Sequence, residues 1–562
     1  MADGNRTGRS GLGEFEVAPG RLRWRCDPAS LNFECTDELG PPTGFIGQDR
    51  AVAAVEFGFG VDLPGYNVFV TGLTGTGRAS TVRALLERVV EERAATDEEA
   101  HVYDVCYVYN FAQADHPNAL RMRRGGGRAF VAAISGLHET LKREIGSAFI
   151  SDEYRGETAK TQQEFNGQRQ EAMQAAERYA SERGFAIQMS QIGMAVIPVA
   201  DGQPLDQAQF MALPDEERAA LEEGRRDVTG RVEATVRQVQ EIGRSQGEAL
   251  EALAQRVGEL TVQAPFETLF ATHGQDEDVT GFLNGLREYT LTHLDAFQTA
   301  EDHPGETDGA AAAFPPRPSR NPFLPFEVNL FIDHSGTTGP PIVVEAHPTY
   351  SNLFGRIDRR AEMGTYVTDH TMLRPGALIA ASGGYLVMEA RDVLVSPGAW
   401  DGLKRVLRSG EVQLEDPSEV MTIVMPHGIR PEPIPLHVKV ILTGDAQLYQ
   451  MLASADPDFW EIFKVRADFD SQMDATPEHV AAIGSFICGI VEDNGLRHFR
   501  DTGVAAIVEH AARMVSERGK LSTRFGFIKD IIVQSSYWAE KAEARLVERE
   551  HVEEAIEQRV YR

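Results

Sequence analysis

The stretch 68-VFVTGLTGTGRASTV-82 limits the fold more than any other in this sequence. An apolar β-type run enters a glycine-rich turn and leaves into a helical pattern, the order that a phosphate-binding loop requires. Such a loop needs backbone N–H groups around phosphate oxygens, a cation on the outer oxygens and a hydroxyl on magnesium. Gly72, Gly75 and Gly77, with Thr74 and Thr76 between them, meet the first need. Arg78 meets the second with a planar fork in place of a compact ammonium. Ala79 has no oxygen for the third. Ser80, one residue on, points about 100° away around a helix. The bland alternative is a glycine-rich strand-to-helix turn that holds no ligand.

The rest of the sequence gives the loop a setting. Helical 51-AVAAVEFGF-59 and 79-ASTVRALLERVVEE-92 alternate with strand-like 66-YNVFVTG-72 and 103-YDVCYVYNF-111, which predicts an α/β domain beginning at 45–150. From 151 to 300 the texture becomes helical and charged. Val228, Val232, Val236, Val239, Ile242, Leu250, Leu253, Val257 and Leu260 recur mostly at threes and fours, predicting a long amphipathic helix. The segment 152–184 is its expected antiparallel partner, roughly 50 Å long at helical rise. Between them, 185-FAIQMSQIGMAVIPV-199 reads as a β-hairpin at the tip of this arm, with Met189 and Met194 exposed. A Pro/Ala/Gly linker is expected over 301–325, the α/β domain resumes over 326–470, and 471–562 is helical. Residues 1–44 read as a leader segment.

Composition excludes some partners. The formal net charge is −30, so a general electrostatic grip on nucleic acid or an anionic membrane is not expected. No run of 18 apolar residues occurs, and the start has no apolar signal core, which together predict a cytoplasmic protein. Cys26, Cys35, Cys106 and Cys488 are scattered without C-x-x-C spacing and read as plain thiols.

A second motif supports the loop. In 383-GGYLVMEARDVL-394 an apolar strand ends at Glu389, where a carboxylate could hold the magnesium shell through water. Ala390 follows, where many P-loop ATPases place the Glu that orients the attacking water. A further strand, 437-HVKVILTGD-445, ends in Thr443 and Asp445, polar groups suited to sensing a γ-phosphate.

Taken together, 46-IGQDRAVAAVEFGF-59, 66-YNVFVTGLTGTGR-78, 348-PTYSNLFGRIDRRAEMGTYVTDHTMLRPGALIAASGGYLVMEAR-391 and 521-LSTRFG-526 resemble the AAA+ module of bacterial Lon-related, LonC-like or LonB-like, ATP-dependent proteases. The resemblance runs over nearly the whole chain. It implies a P-loop AAA+ ATPase domain interrupted by a long helical, coiled-coil-like insertion and followed by an α-helical lid, assembled as a hexameric ring. In such relatives a Ser-Lys protease domain follows the lid; no part of this chain resembles one, so that domain is expected in cis or in trans.

The resemblance also implies roles. Ile46, Gly47 and Gln48 match the wall of the adenine pocket, and Arg524 matches a lid arginine that reaches phosphate. Leu353-Phe354-Gly355 matches the pore loop that grips substrate backbone. For the basic residue that crosses the subunit interface, family position favours Lys464, whereas chemistry favours Arg466, since a guanidinium clamps phosphate with two hydrogen bonds. Relatives with intact chemistry carry a hydroxyl in the place of Ala79 and Asp in the place of Glu389. Losing that hydroxyl and the water-orienting Glu should harm hydrolysis far more than binding. The expected cofactor is therefore weakly bound ATP or ADP with magnesium. Two readings stand: a slow unfoldase that captures unfolded proteins, or a substrate-gating scaffold that does not hydrolyse nucleotide. A DNA-linked remodeller is the weakest, given the acidic balance.

Overall fold

The structure, a computed structural model, describes residues 16–18, 22–42, 44–94, 101–190, 193–200, 203–205, 210–211, 213–298, 321–362, 365–415 and 428–561. Most of the expected linker falls outside them, as do Ile192 and the side chains of Ala79 and Met189. Contacts divide the chain into two compact units. One comprises Met1–Tyr107, Asp115–Gly127 and Asn329–Arg562, the other Val108–Ala114 and Arg128–Val328.

The first unit is built on five parallel strands: β1 (Val68–Gly72), β2 (Ile342–Glu345), β3 (Gly384–Glu389), β4 (Val438–Gly444) and β5 (Val465–Phe469). Their spatial order is β5-β1-β4-β3-β2. Alternation within β1 explains why it sits in the middle. Val68 and Val70 join one apolar layer with Val55, Leu85, Leu86 and Ile441, while Phe69 joins the other with Leu386, Met388 and Leu442. A strand apolar on both faces is stable only when both faces are covered. Phe69 lies 5.3 Å from the Tyr449 ring and 5.8 Å from Phe459. Helix α1 (Asp49–Gly60) and α2 (Arg78–Ala94) lead into and out of β1. The strand Tyr103–Val108 does not enter this sheet. It forms a separate three-stranded sheet with Asn118–Arg123 and Asn329–Ile332.

In the second unit, α3 (Gly126–Ile150) leads to the arm helices α4 (Asp152–Ser181) and α5 (Asp215–His273), and α6 (Glu277–Thr292) packs on α5. Ser151 caps α4 by accepting from the Tyr154 N–H at 3.2 Å. Tyr179 donates to Asp227 at 2.7 Å and Arg169 to Gln246 at 3.0 Å, so the two arm helices run antiparallel as expected. The hairpin forms from Phe185–Ser190 and Gly193–Ala200. Its packing corrects one expectation: Met194 is half-buried against the cluster of Ala180, Phe185, Val228 and Val232. A small two-helix tip has too little apolar surface to leave that side chain out. Beside it an open groove of about 440 Å³ is lined by Val196, Val232, Val236, Arg225 and Arg237.

The lid returns to the first unit as α7 (Pro477–Asn494), α8 (Asp501–Val515), α9 (Phe525–Lys541) and α10 (Arg549–Tyr561). Helix α7 shows why these segments begin and end where they do. Thr476 caps it, Pro477 fits the first turn, and Gly495 stops it at a φ of 62°. The leader is stitched to this lid. Cys26 and Leu31 enter its core, the Thr36 N–H donates to the Phe499 carbonyl at 2.9 Å, and the Asp501 N–H donates to the Glu34 carbonyl at 3.0 Å. Glu509, 1% exposed, accepts two hydrogen bonds from the Arg549 guanidinium, at 2.9 and 3.1 Å, and one from the Cys26 N–H at 3.2 Å.

On the same helix, burial and the neighbouring Arg513 and Arg559 push His510 down to about 4. Because the folded value lies below the ordinary one near 6.5, this group's contribution is present above that pH and is lost as pH falls toward 4. The lid should lose about 1–2 kcal/mol between pH 7 and pH 5, part of the full linkage being screened by solvent. His510→Gln should flatten that dependence in hydrogen exchange of α8; an unchanged slope would remove His510 as its source.

Candidate nucleotide site

Strand order puts the candidate residues together. From β1 the chain leaves for the far edge, works back to β4, and finishes on the other side of β1. The loops at the carboxyl ends of β1 and β4 therefore part and leave a crevice, the usual ligand position in open parallel sheets. The glycine loop follows β1, Thr443 lies near the end of β4, and Glu389 ends β3.

Gly75 and Gly77 have φ of 88° and 79°, a left-handed backbone that glycine adopts without strain. At Gly72 space decides instead: a Cβ would lie 2.9 Å from Phe469 Cβ. Thr76 Oγ1 donates to the Leu73 carbonyl at 2.8 Å, and the Thr81 N–H donates to the Gly77 carbonyl at 2.9 Å, starting α2. The first turn of this 17-residue helix points unpaired N–H groups and the positive end of its dipole at the crevice. Thr74 is exposed in the turn.

The neighbouring polar groups are already engaged. Arg78 donates to the Gly444 carbonyl, which ties the loop to the end of β4. Ser80 Oγ donates back to Gly77 at 2.9 Å and does not replace the hydroxyl missing at Ala79. Thr443 Oγ1 donates to Glu389 at 2.7 Å, across the β3–β4 register. Asp445 accepts from the Leu448 N–H at 2.7 Å and faces Arg391 at 3.5 Å.

The lid touches the loop directly. The Gly526 N–H donates to the Gly75 carbonyl at 2.9 Å, and a Cβ on Gly75 would stand 3.2 Å from the Phe527 ring. Arg524, at the start of α9, stacks 4.0 Å from the centre of that ring. Its Nε is buried with no hydrogen-bond partner. Ahead of α1, Gln48 is 5% exposed and exchanges two hydrogen bonds with the Asp470 backbone, at 2.9 and 3.1 Å. Gly47 has a φ of 63° and presses on Met473, while Ile46 packs against the lid core.

Other candidates lie elsewhere. Leu353 and Phe354 are 0% and 2% exposed, and Phe354 packs on Gly402 and Tyr350. Gly355 makes a close turn against Arg374. These residues are core, which corrects the expected substrate-gripping role: a buried ring has no face left for a passing chain. The exposed aromatic nearby is Tyr366, 72% exposed on the hairpin of Arg360–Glu362 and Thr365–Val367. Lys464 precedes β5 at the opposite end of the sheet from the loop, exposed, with Nζ 3.2 Å from the Pro64 carbonyl. Arg466 is held by Asp468 at 2.9 Å and the Tyr449 ring at 4.6 Å.

A nucleotide's phosphates fit this place, since the helix start, the two left-handed glycines and the orphaned Arg524 Nε all offer donors to an anion. Magnesium fits less well. Position 79 offers no side-chain hydroxyl, and Glu389 and Asp445 already accept from Thr443 and the Leu448 N–H. The contacts of Gly526 and Phe527 with Gly75, and of Asp470 with Gln48, were not legible in the sequence, because each joins segments far apart along the chain.

Comparison with known families agrees with this geometry. The LonB-like AAA domain family matches residues 338–470, the archaeal LonB AAA+ ATPase LID domain matches 498–562, and the Lon-like LonC helical domain matches 104–137. The chain carries the AAA+ module of a Lon-related protease. The Lon match at 338–470 spans β2 to β5 and includes Glu389 and Thr443. The LonC helical match begins at the strand Tyr103–Val108, earlier than the arm expected from the sequence. No curated protein matches. Among solved structures, NtrX from Brucella abortus with ADP aligns at 18% identity over 38% of this chain and 43% of that chain, with a TM-score of 0.25. A full-length MCM homolog from Methanopyrus kandleri aligns at 15% identity over 38% and 43%, with a TM-score of 0.15. The chain thus spans less than half the length of these proteins, and the likeness carries no argument here. No described helix is long and apolar enough to cross a membrane.

Proposed function

We propose that this module is the unfoldase part of a Lon-like Ser-Lys protease, working as a cytoplasmic hexamer that captures unfolded proteins and passes them to a proteolytic chamber, with a nucleotide site weakened in hydrolysis. The observation that carries this is the meeting of the glycine loop, Glu389 and Thr443 at one end of the sheet, with alanine at 79 and 390 where phosphoryl transfer needs a hydroxyl and a carboxylate. ATP or ADP would rest its phosphates on the loop N–H groups and Arg524. Lys464, exposed and far from its own loop, is the better candidate to act on a neighbouring subunit: it is held in its own chain by a carbonyl and a ring, whereas Arg466 is paired with a carboxylate. Tyr366 takes over the substrate-contact role expected of Phe354, and the groove at the arm tip sets Met194 and three valines beside Arg225, Glu233 and Arg237, a mixed surface for a partly unfolded chain.

A second reading, a gating scaffold in which nucleotide only stiffens the ring, is favoured by the bond from lid Gly526 to loop Gly75. Calorimetry separates the two. The unfoldase reading expects ATP and ADP to bind about equally and with little dependence on magnesium, and expects Tyr366→Ala to reduce capture of reduced casein. A strong magnesium-dependent preference for ATP would refute the weakened site. Unchanged capture by the Tyr366 variant, together with no binding of either nucleotide, would favour the scaffold.

A further inference from the structure

We infer that Arg559 is a second phosphate-binding residue of this site, forming with Arg524 a two-arginine clamp, held on Phe527, for the outer phosphates of a nucleoside di- or triphosphate. The inference rests on the nucleotide reading and adds to it a residue from the far end of the lid. Arg559 lies in the last turns of α10 with its guanidinium carbon 5.5 Å from the centre of the Phe527 ring, and Arg524 lies 4.0 Å from the same centre. The ring itself packs on the loop, its nearest edge atoms 3.2 and 3.4 Å from where a Cβ of Gly75 would stand. One aromatic side chain that borders the phosphate loop therefore carries two guanidinium groups.

Charge supports a ligand there. The chain has 85 acidic residues against 55 basic ones, so an exposed arginine has carboxylates in plenty to pair with. Nevertheless, among the described residues, neither Arg524 nor Arg559 makes an ion pair with a carboxylate within 4.0 Å. Burial, with Arg513 and Arg559 adding to it, disfavours the charged form of His510, so that imidazole stays neutral near pH 7 and adds no further repulsion. Two guanidinium groups on one ring without a carboxylate partner repel one another, and an anion between them relieves that repulsion. The buried, unpartnered Nε of Arg524 is a donor waiting for an acceptor. The bland reading, surface arginines resting on an aromatic ring, accounts for the stacking but not for the orphaned donor beside the loop.

Binding measurements on the whole chain test this. Arg559→Gln should weaken ADP about tenfold, equivalent to about 1.4 kcal/mol, while adenosine binds as before and the melting temperature without nucleotide stays put. Arg559→Lys should recover part of the loss, because it keeps the charge but not the fork. Phe527→Leu, which keeps apolar bulk but removes the ring face, should also weaken ADP. Equal ADP affinity in Arg559→Gln and wild type would overturn the clamp, and so would an equal loss for adenosine and ADP, which would mean general distortion. If the wild type binds no ADP at all, the nucleotide reading falls first and takes the clamp with it.

Discussion

Arg549→Met is expected to destabilise the lid by about 3–5 kcal/mol, because it leaves the Glu509 carboxylate buried without its main partner. Glu509 is 1% exposed, and its remaining contacts are the Cys26 N–H at 3.2 Å and the half-exposed Arg23 at 3.5 Å. Neither replaces a guanidinium held by two short hydrogen bonds. The effect should spread to the leader, since Cys26 bonds to the same carboxylate and packs in the same core. Hydrogen exchange of α8 and of residues 22–42 should therefore speed up together. Replacing both partners, Glu509→Leu with Arg549→Met, should recover most of the loss, because an apolar pair needs no counter-charge. A single variant that loses less than about 1 kcal/mol would show that Arg23 alone suffices for the buried charge.

The second large effect concerns turnover. Ala390→Glu combined with Ala79→Thr is expected to raise steady-state ATP hydrolysis by at least about 10²-fold, the scale of a well-placed general base. Ala390 is 1% exposed directly after Glu389, so the new carboxylate begins beside the residue that ends β3. Each change alone should do much less, and the pair more than their sum, because both serve one transition state. Wild-type turnover should fall well below about 1 s⁻¹, the low end of ordinary enzymes. Brisk hydrolysis by the wild type would mean that another carboxylate, such as Glu345 at the end of β2, does this work, and the reading of a weakened site would fail. An unresponsive double variant would place the fault elsewhere, for example in the tie of Arg78 to Gly444.

What the sequence determined by itself is the set of local shapes and the missing chemistry. The apolar run before Gly72, the glycines at 72, 75 and 77, and the three-and-four spacing from Val228 to Leu260 each state their conformation within a few residues, since backbone sterics and side-chain periodicity are local properties. That Ala79 and Ala390 have no side-chain oxygen is a fact of composition that no fold can alter. Tertiary structure alone decided which distant segments meet. It buried Leu353 and Phe354, where the sequence pattern suited an exposed loop equally well. It paired Arg466 with Asp468 and set the exposed Lys464 against the Pro64 carbonyl, contacts that neither residue's chemistry states. It took Tyr103–Val108 out of the central sheet, joined the leader to the lid, brought Gly526 and Phe527 to the glycine loop, and set Arg559 over the Phe527 ring. The physical reason is common to all of these. A contact between residues hundreds of positions apart depends on the order in which strands pair and helices pack, and that order belongs to the whole chain and to no single stretch of it.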